Sequence, residues 1–139
     1  MHKSLLMVVF WVYVALVLSA TLFVFRGSPY APLELNPIAS YIRAANAPAN
    51  LARMEIMGIA LNIAMFVPLG LLTPILWRKM AKLHRIAALL AASTLFIETT
   101  QLLTARGVFS LEDMLHNTIG GLLGFFVFKI LKADVPLPK

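Results

Sequence analysis

Six polar side chains interrupt the apolar runs of this sequence: Asn62 in "LNIAMFVPLG", Glu98 and Gln101 in "LFIETTQLL", Arg106 shortly after, and Asp113 and Asn117 in "LEDMLHNTIGG". Carboxylates and a guanidinium gathered away from water can bind a polar group, the carboxylates taking an amine and Arg106 an anion. The same set could run acid–base chemistry, with Glu98 or Asp113 carrying a proton and Arg106 steadying negative charge on a lipid-linked phosphate or acyl group. No nucleophile stands out, so a catalytic residue is unknown beyond the candidates Glu98 and Asp113. A third role is interhelical hydrogen bonding, worth on the order of 0.6 to 2 kcal/mol per bond.

Such residues need elements to position them, and composition defines the solvent of those elements. Of 139 residues 60% are hydrophobic and 13% charged, with a mean hydropathy of +0.86, which excludes an ordinary soluble domain. Four runs approach the ~20 residues needed to cross a bilayer: 5–25, 56–77, 86–105 and 111–131. The expectation is an all-α integral membrane four-helix bundle forming one domain over residues 1–139. "LSA" at residues 18–20 resembles a cleavage site, but the apolar run continues through "TLFVF", so the first segment reads as an uncleaved anchor.

Basic residues orient the bundle. "RKMAKLHR", residues 78–85, holds four Lys or Arg and no acid, and Lys3, Lys129, Lys132 and Lys139 flank or follow the outer segments. By the positive-inside rule these regions and both termini face the cytoplasm. The formal charge of +6 is then explained by helix ends meeting anionic headgroups, so membrane lipids and not nucleic acid are the expected partners. With no cysteine, disulfides and thiolate chemistry are excluded. The outside connection of residues 26–55 carries Arg26, Arg43 and Arg53, partly offset by Glu34 and Glu55. Within it, Asn36 as N-cap and Pro37 as first helical residue of "LNPIASYIRAA" suggest a short interfacial helix with Ile38, Tyr41 and Ile42 on one face, weighed evenly against a plain loop.

Depth and phase then gather the polar residues. Glu98 lies seven residues before Ala105, Asn117 seven after Ser110, and Asn62 seven after Glu55, about 10 Å from each end at ~1.5 Å per residue. At 100° per residue, Thr94, Glu98, Gln101 and Ala105 share one stripe; Asp113, Asn117, Gly120 and Gly124 share another; Gly58, Asn62, Phe66 and Thr73 a third. Packing these stripes together makes an outer-leaflet polar pocket. Thr99 and Thr100 fall off the stripe and read as hydroxyls bonding to their own backbone.

Structural roles compete for several positions. Ser110 and Asp113 form an S-x-x-D capping box with Glu112 favourable at the helix start, and Arg106 on the preceding turn could pair with Glu98, Glu112 or Asp113. Pro68 and Pro74 remove the helical donors to the Ala64 and Gly70 carbonyls and predict a kinked second helix. Gly120-x-x-x-Gly124 predicts close helix contact. Asp113-x-x-His116 has metal-like spacing, but His116 points about 60° off the stripe; no metal or cofactor is expected, and His116 reads as a headgroup-level or lipid-facing residue.

The ordered set "LNIAMFVPLGLLTPIL" then "IETTQLLTARGVFSLEDMLHNTIGGLLG" resembles the VanZ-like family of small bacterial membrane proteins. The matching positions are Asn62, Phe66, Pro68, Gly70, Leu72 and Pro74; Glu98 and Gln101; Arg106; and Asp113, Asn117, Gly120 and Gly124. The likeness covers about residues 35–130. "GVFSLED" departs from a pattern that often puts an acidic or small polar residue close to the Arg, with Glu112 as the substitute on offer. The resemblance implies an envelope protein similar to a low-level teicoplanin resistance factor, without supplying a reaction. The favoured expectation is a binding module for an envelope lipid, a cell-wall precursor or a glycopeptide; a membrane-embedded enzyme and a structural or accessory protein are the alternatives. The oligomeric state is unknown.

Overall fold

A computed structural model describes residues 3–23 and 33–134. Among the described residues, four helices are long and apolar enough to cross a membrane: α1 (Lys3–Phe23), α3 (Ala49–Leu76), α4 (Leu83–Leu103) and α5 (Leu111–Asp134), with a short α2 (Ala39–Asn46) between the first two. Phe25, Arg26 and Lys139, which figured in the expected first span and charge pattern, lie outside the described residues. The bundle is all-helical apart from a parallel two-residue pairing of β1 (Leu33–Glu34) with β2 (Phe109–Ser110). That pairing ties the connection before α2 to the turn before α5.

Helix ends depart from the hydropathy reading for local reasons. α3 begins at Ala49 after Pro48, seven residues before the expected Ile56, because Arg53 and Glu55 sit on its first turns as ordinary helical residues. α3 continues as one helix through Pro68 and Pro74. α4 begins at Leu83, so the basic stretch divides into a 3-10 turn, Arg78–Met80, and a helix start. α2 begins at Ala39 instead of Pro37, since Asn36 Oδ1 accepts the Ile38 N–H at 3.1 Å and closes a turn there.

At its far end α4 stops at Leu103, short of Ala105. Ala105 has φ 52°, and the Arg106 N–H reaches the Gln101 carbonyl at 3.0 Å while the Ala105 N–H reaches Leu102 at 3.2 Å. This is the double closure that normally uses glycine in the left-handed position. Ala105→Gly is therefore expected to raise stability by about 1 kcal/mol, read as a shift in detergent unfolding. An unchanged or lowered midpoint would mean that the alanine is not strained.

The core lies among α3, α4 and α5, where Phe66, Ile86, Leu90, Ile97, Phe125 and Phe128 are buried together. α3 and α5 run in the same direction and touch backbone to backbone. A Cβ on Gly120 would strike the Ile63 carbonyl, one on Gly124 the Val67 carbonyl, and one on Gly70 the Gly121 carbonyl. Gly121 in turn accommodates the Leu90 side chain of α4. α1 is less embedded: Phe10 and Trp11 pack edge-on against Trp77 with ring centroids 5.1 and 6.4 Å apart, and Thr21 meets α4 near the other end.

Candidate functional site

The ends of α1, α3, α4 and α5 opposite the Trp77–Lys82 connection converge beneath α2. Here the chain buries polar groups that lipid would penalise, and three amide side chains bridge to other elements. Asn62 Nδ2 donates to Asp113 Oδ1 at 2.6 Å, joining α3 to α5. Gln101 Nε2 donates to the Thr21 carbonyl at 2.7 Å, joining α4 to α1. Asn117 Nδ2 donates to Thr94 Oγ1 at 3.2 Å, joining α5 to α4. Thr94, Glu98, Gln101, Asn62 and Asn117 are all buried, as the stripes predict. The equal-depth count is corrected: Asn62 stands 13 residues into α3, yet meets Asp113 near the start of α5.

The start of α5 also revises the capping box. Ser110 Oγ accepts the Asp113 N–H at 3.1 Å, the expected half. The Ser110 N–H, however, donates to Glu98 Oε2 at 2.7 Å. Glu98 of α4 supplies the reciprocal half, while Asp113 turns one oxygen to Asn62. The Glu98 bond occupies Oε2 alone, and Glu98 is 2% exposed.

These groups wall a cavity of about 180 Å³, lined in near-equal parts by polar and apolar surface. Asn62, Glu98, Gln101, Asp113 and Asn117 border it; Arg106 does not, and lies exposed on the turn. The guanidinium that does border it is Arg43 of α2, together with Glu34 and Ser40. Arg43 Nε donates to Glu55 Oε1 at 3.0 Å, Nη2 to Ser40 Oγ at 2.7 Å, and Nη1 lies 3.5 Å from Glu34 Oε2. The hydrogen bond to Glu55 raises the Arg43 pKa above the ordinary guanidinium value, so its positive charge is fixed. The cavity thus has three carboxyl groups and one cation on its wall.

A family model described as VanZ/LLP1 matches residues 5–132. The chain belongs to the VanZ/LLP1 family. No curated protein and no solved structure matches it. Four apolar spans and this membership make it a multi-pass membrane protein. In this VanZ/LLP1 chain the residues that carried the resemblance divide by place. Pro68, Pro74, Gly70, Gly120 and Gly124 belong to α3 and the α3–α5 contact, whereas Asn62, Glu98, Gln101, Asp113 and Asn117 border the cavity.

α2 is fastened over the cavity by contacts that spacing alone did not disclose. The Ser40 N–H donates to Glu112 Oε2 at 2.8 Å, and Tyr41 Oη pairs with His116 Nε2 at 3.0 Å. His116 is 4% exposed, so it does not face lipid as one of its two expected positions had it: Tyr41 of α2 packs on it. Ile38, Tyr41 and Ile42 still turn largely outward, while Ala39 is the buried residue of α2. The Thr100 hydroxyl donates to the Phe96 carbonyl at 2.7 Å, as expected of an off-stripe threonine.

The signal for Arg43 was present in the sequence as an arginine on a short helix between Glu34 and Glu55. Tyr41→Phe is expected to cost about 1 to 2 kcal/mol, since the ring remains while buried His116 Nε2 loses its partner. Thermal unfolding in detergent reads this directly. A change within a few tenths of a kcal/mol would show that the pair adds nothing to the seating of α2.

Proposed function

We propose that this protein binds the polar headgroup of an envelope lipid or lipid-linked cell-wall precursor in an outer-leaflet pocket, and through it contributes to envelope homeostasis and glycopeptide resistance. The observation that carries this reading is the cavity wall, where Glu34, Glu98 and Asp113 are gathered with Arg43. Three carboxyl groups against one guanidinium call for a ligand rich in donors. An ammonium or a cluster of hydroxyls supplies them, and Arg43 suits a phosphate on the same headgroup.

Size selects among the candidates. About 180 Å³ is below the ~300 to 1,000 Å³ typical of drug-sized ligands. A headgroup, or one end of a precursor, is matched to that space; the body of a teicoplanin-like glycopeptide is not. The outer-leaflet location rests on the basic connection of residues 78–85 lying at the opposite end of the bundle.

Native mass spectrometry of copurified lipid tests the proposal on wild type, Asp113→Asn and Arg43→Gln. Asp113→Asn keeps an oxygen for Asn62 while deleting charge. Retention of amine- or hydroxyl-headed lipid by wild type, reduced about tenfold in Asp113→Asn, is expected from loss of one charge-assisted bond. Arg43→Gln should select against phosphate-bearing headgroups. Lipid carried equally by all three proteins would rule the pocket out as a headgroup site.

A further inference from the structure

A second cavity adjoins the polar one. It is a crevice of about 350 Å³ between α1, α3 and α4, lined almost wholly by apolar surface, and Ile97 borders both spaces. Each of the three helices passes from one lining to the other within about a turn. On α1, Thr21 faces the polar cavity and Val17 the crevice; on α3, Asn62 and then Met65; on α4, Glu98 and then Ile97 and Phe96. α5, which gives the polar cavity Ser110, Asp113 and Asn117, contributes nothing to the crevice lining.

From this continuity we infer that the crevice is the acyl-chain site of the same ligand: one lipid chain lies between α1, α3 and α4 while its headgroup occupies the polar cavity. The inference rests on the headgroup proposal and narrows its ligand from any small polar molecule to an amphiphile. The polar cavity admits a headgroup and no chain, so a chain must leave it toward an apolar wall. The crevice starts at that wall. From Leu18 to Tyr13 it reaches five residues along α1, about 7.5 Å of helix rise, which spans several methylenes of a single chain. The arrangement also accounts for the loose seating of α1, which is fastened by Phe10 and Trp11 at one end and by its Thr21 carbonyl at the other, with the crevice between.

The test uses the full chain in detergent with dioleoyl phosphatidylethanolamine as lipid probe and glycerophosphoethanolamine as the same headgroup without chains. Ala92→Phe and Val17→Phe fill the crevice and leave every polar-cavity residue in place. Each is expected to lower lipid retention at least tenfold while glycerophosphoethanolamine still raises the unfolding midpoint as in wild type. Undiminished lipid retention in both variants overturns the chain site and leaves the headgroup reading standing. Failure of wild type to respond to either probe removes the headgroup reading itself. Should the filled variants not fold, wild type with a lipid carrying a mid-chain diazirine decides the matter. Labelling concentrated at residues 13–18 and 92–97 supports the site, and labelling spread evenly onto outward positions such as Leu123 and Ile130 overturns it.

Discussion

Gly120→Leu is expected to prevent α3 and α5 from closing and to cost at least about 3 kcal/mol, the upper part of the range for overpacking. The reason is the identity of the obstacle. A Cβ on Gly120 meets the Ile63 carbonyl and its neighbouring backbone atoms, not a side chain that can rotate aside. Relief therefore requires the two helices to part, which also pulls Asn62 from Asp113. Gly58→Ala is the matched control: a Cβ there meets nothing within 4 Å. That variant should be neutral or stabilising by up to ~1 kcal/mol from helix propensity. Denaturant unfolding of both variants in the same detergent gives the comparison. Equal midpoints would mean that the glycine seam is dispensable.

The second large effect separates the two duties of Glu98. Glu98→Ala removes the acceptor of the Ser110 N–H at the start of α5 and leaves that donor buried, a penalty of about 1 to 3 kcal/mol. Glu98→Gln retains an amide oxygen for the same N–H, so its stability should stay close to wild type. Its lipid retention should nevertheless fall about tenfold or more if the proposed headgroup donates to this carboxyl, because an amide NH2 then replaces one of the two carboxyl oxygens. Unfolding midpoints and native mass spectra on the same samples read both quantities. A Gln variant that retains lipid fully would leave Glu98 as a helix cap alone, and a Gln variant as unstable as Ala would refute the hydrogen-bond account.

The spans were legible because bilayer thickness imposes a length that composition reveals. Their ends were not. Hydropathy marks where a helix leaves hydrocarbon, and α3 remains helical for seven residues beyond that point, through Arg53 and Glu55. The stop of α4 depends on an alanine in a conformation that sequence rules assign to glycine. Within the site, Asn62, Glu98, Gln101, Asp113 and Asn117 were recoverable because one helical phase relation holds along each span. Arg43 was not, since its place depends on α2 docking through Ser40 to Glu112, 72 residues away. The same long-range contact buries His116, which its own helix phase had pointed elsewhere. Arg106 illustrates the converse: nearness in sequence to Glu98 and Asp113 did not bring it to the cavity wall.

The same-direction contact of α3 and α5 has a consequence for how the chain is made. The two helices cannot be adjacent in sequence, because α4 must cross back between them before α5 can begin. During synthesis, which proceeds from the N-terminus, α3 reaches the membrane with its glycine-facing backbone unmatched and waits through the insertion of two further spans. Asn62 spends that interval without Asp113. Assembly of the polar cavity is thus a late event that depends on arrival of the last span, and a chain interrupted before residue 113 would carry the first three spans without the α5 wall of that cavity.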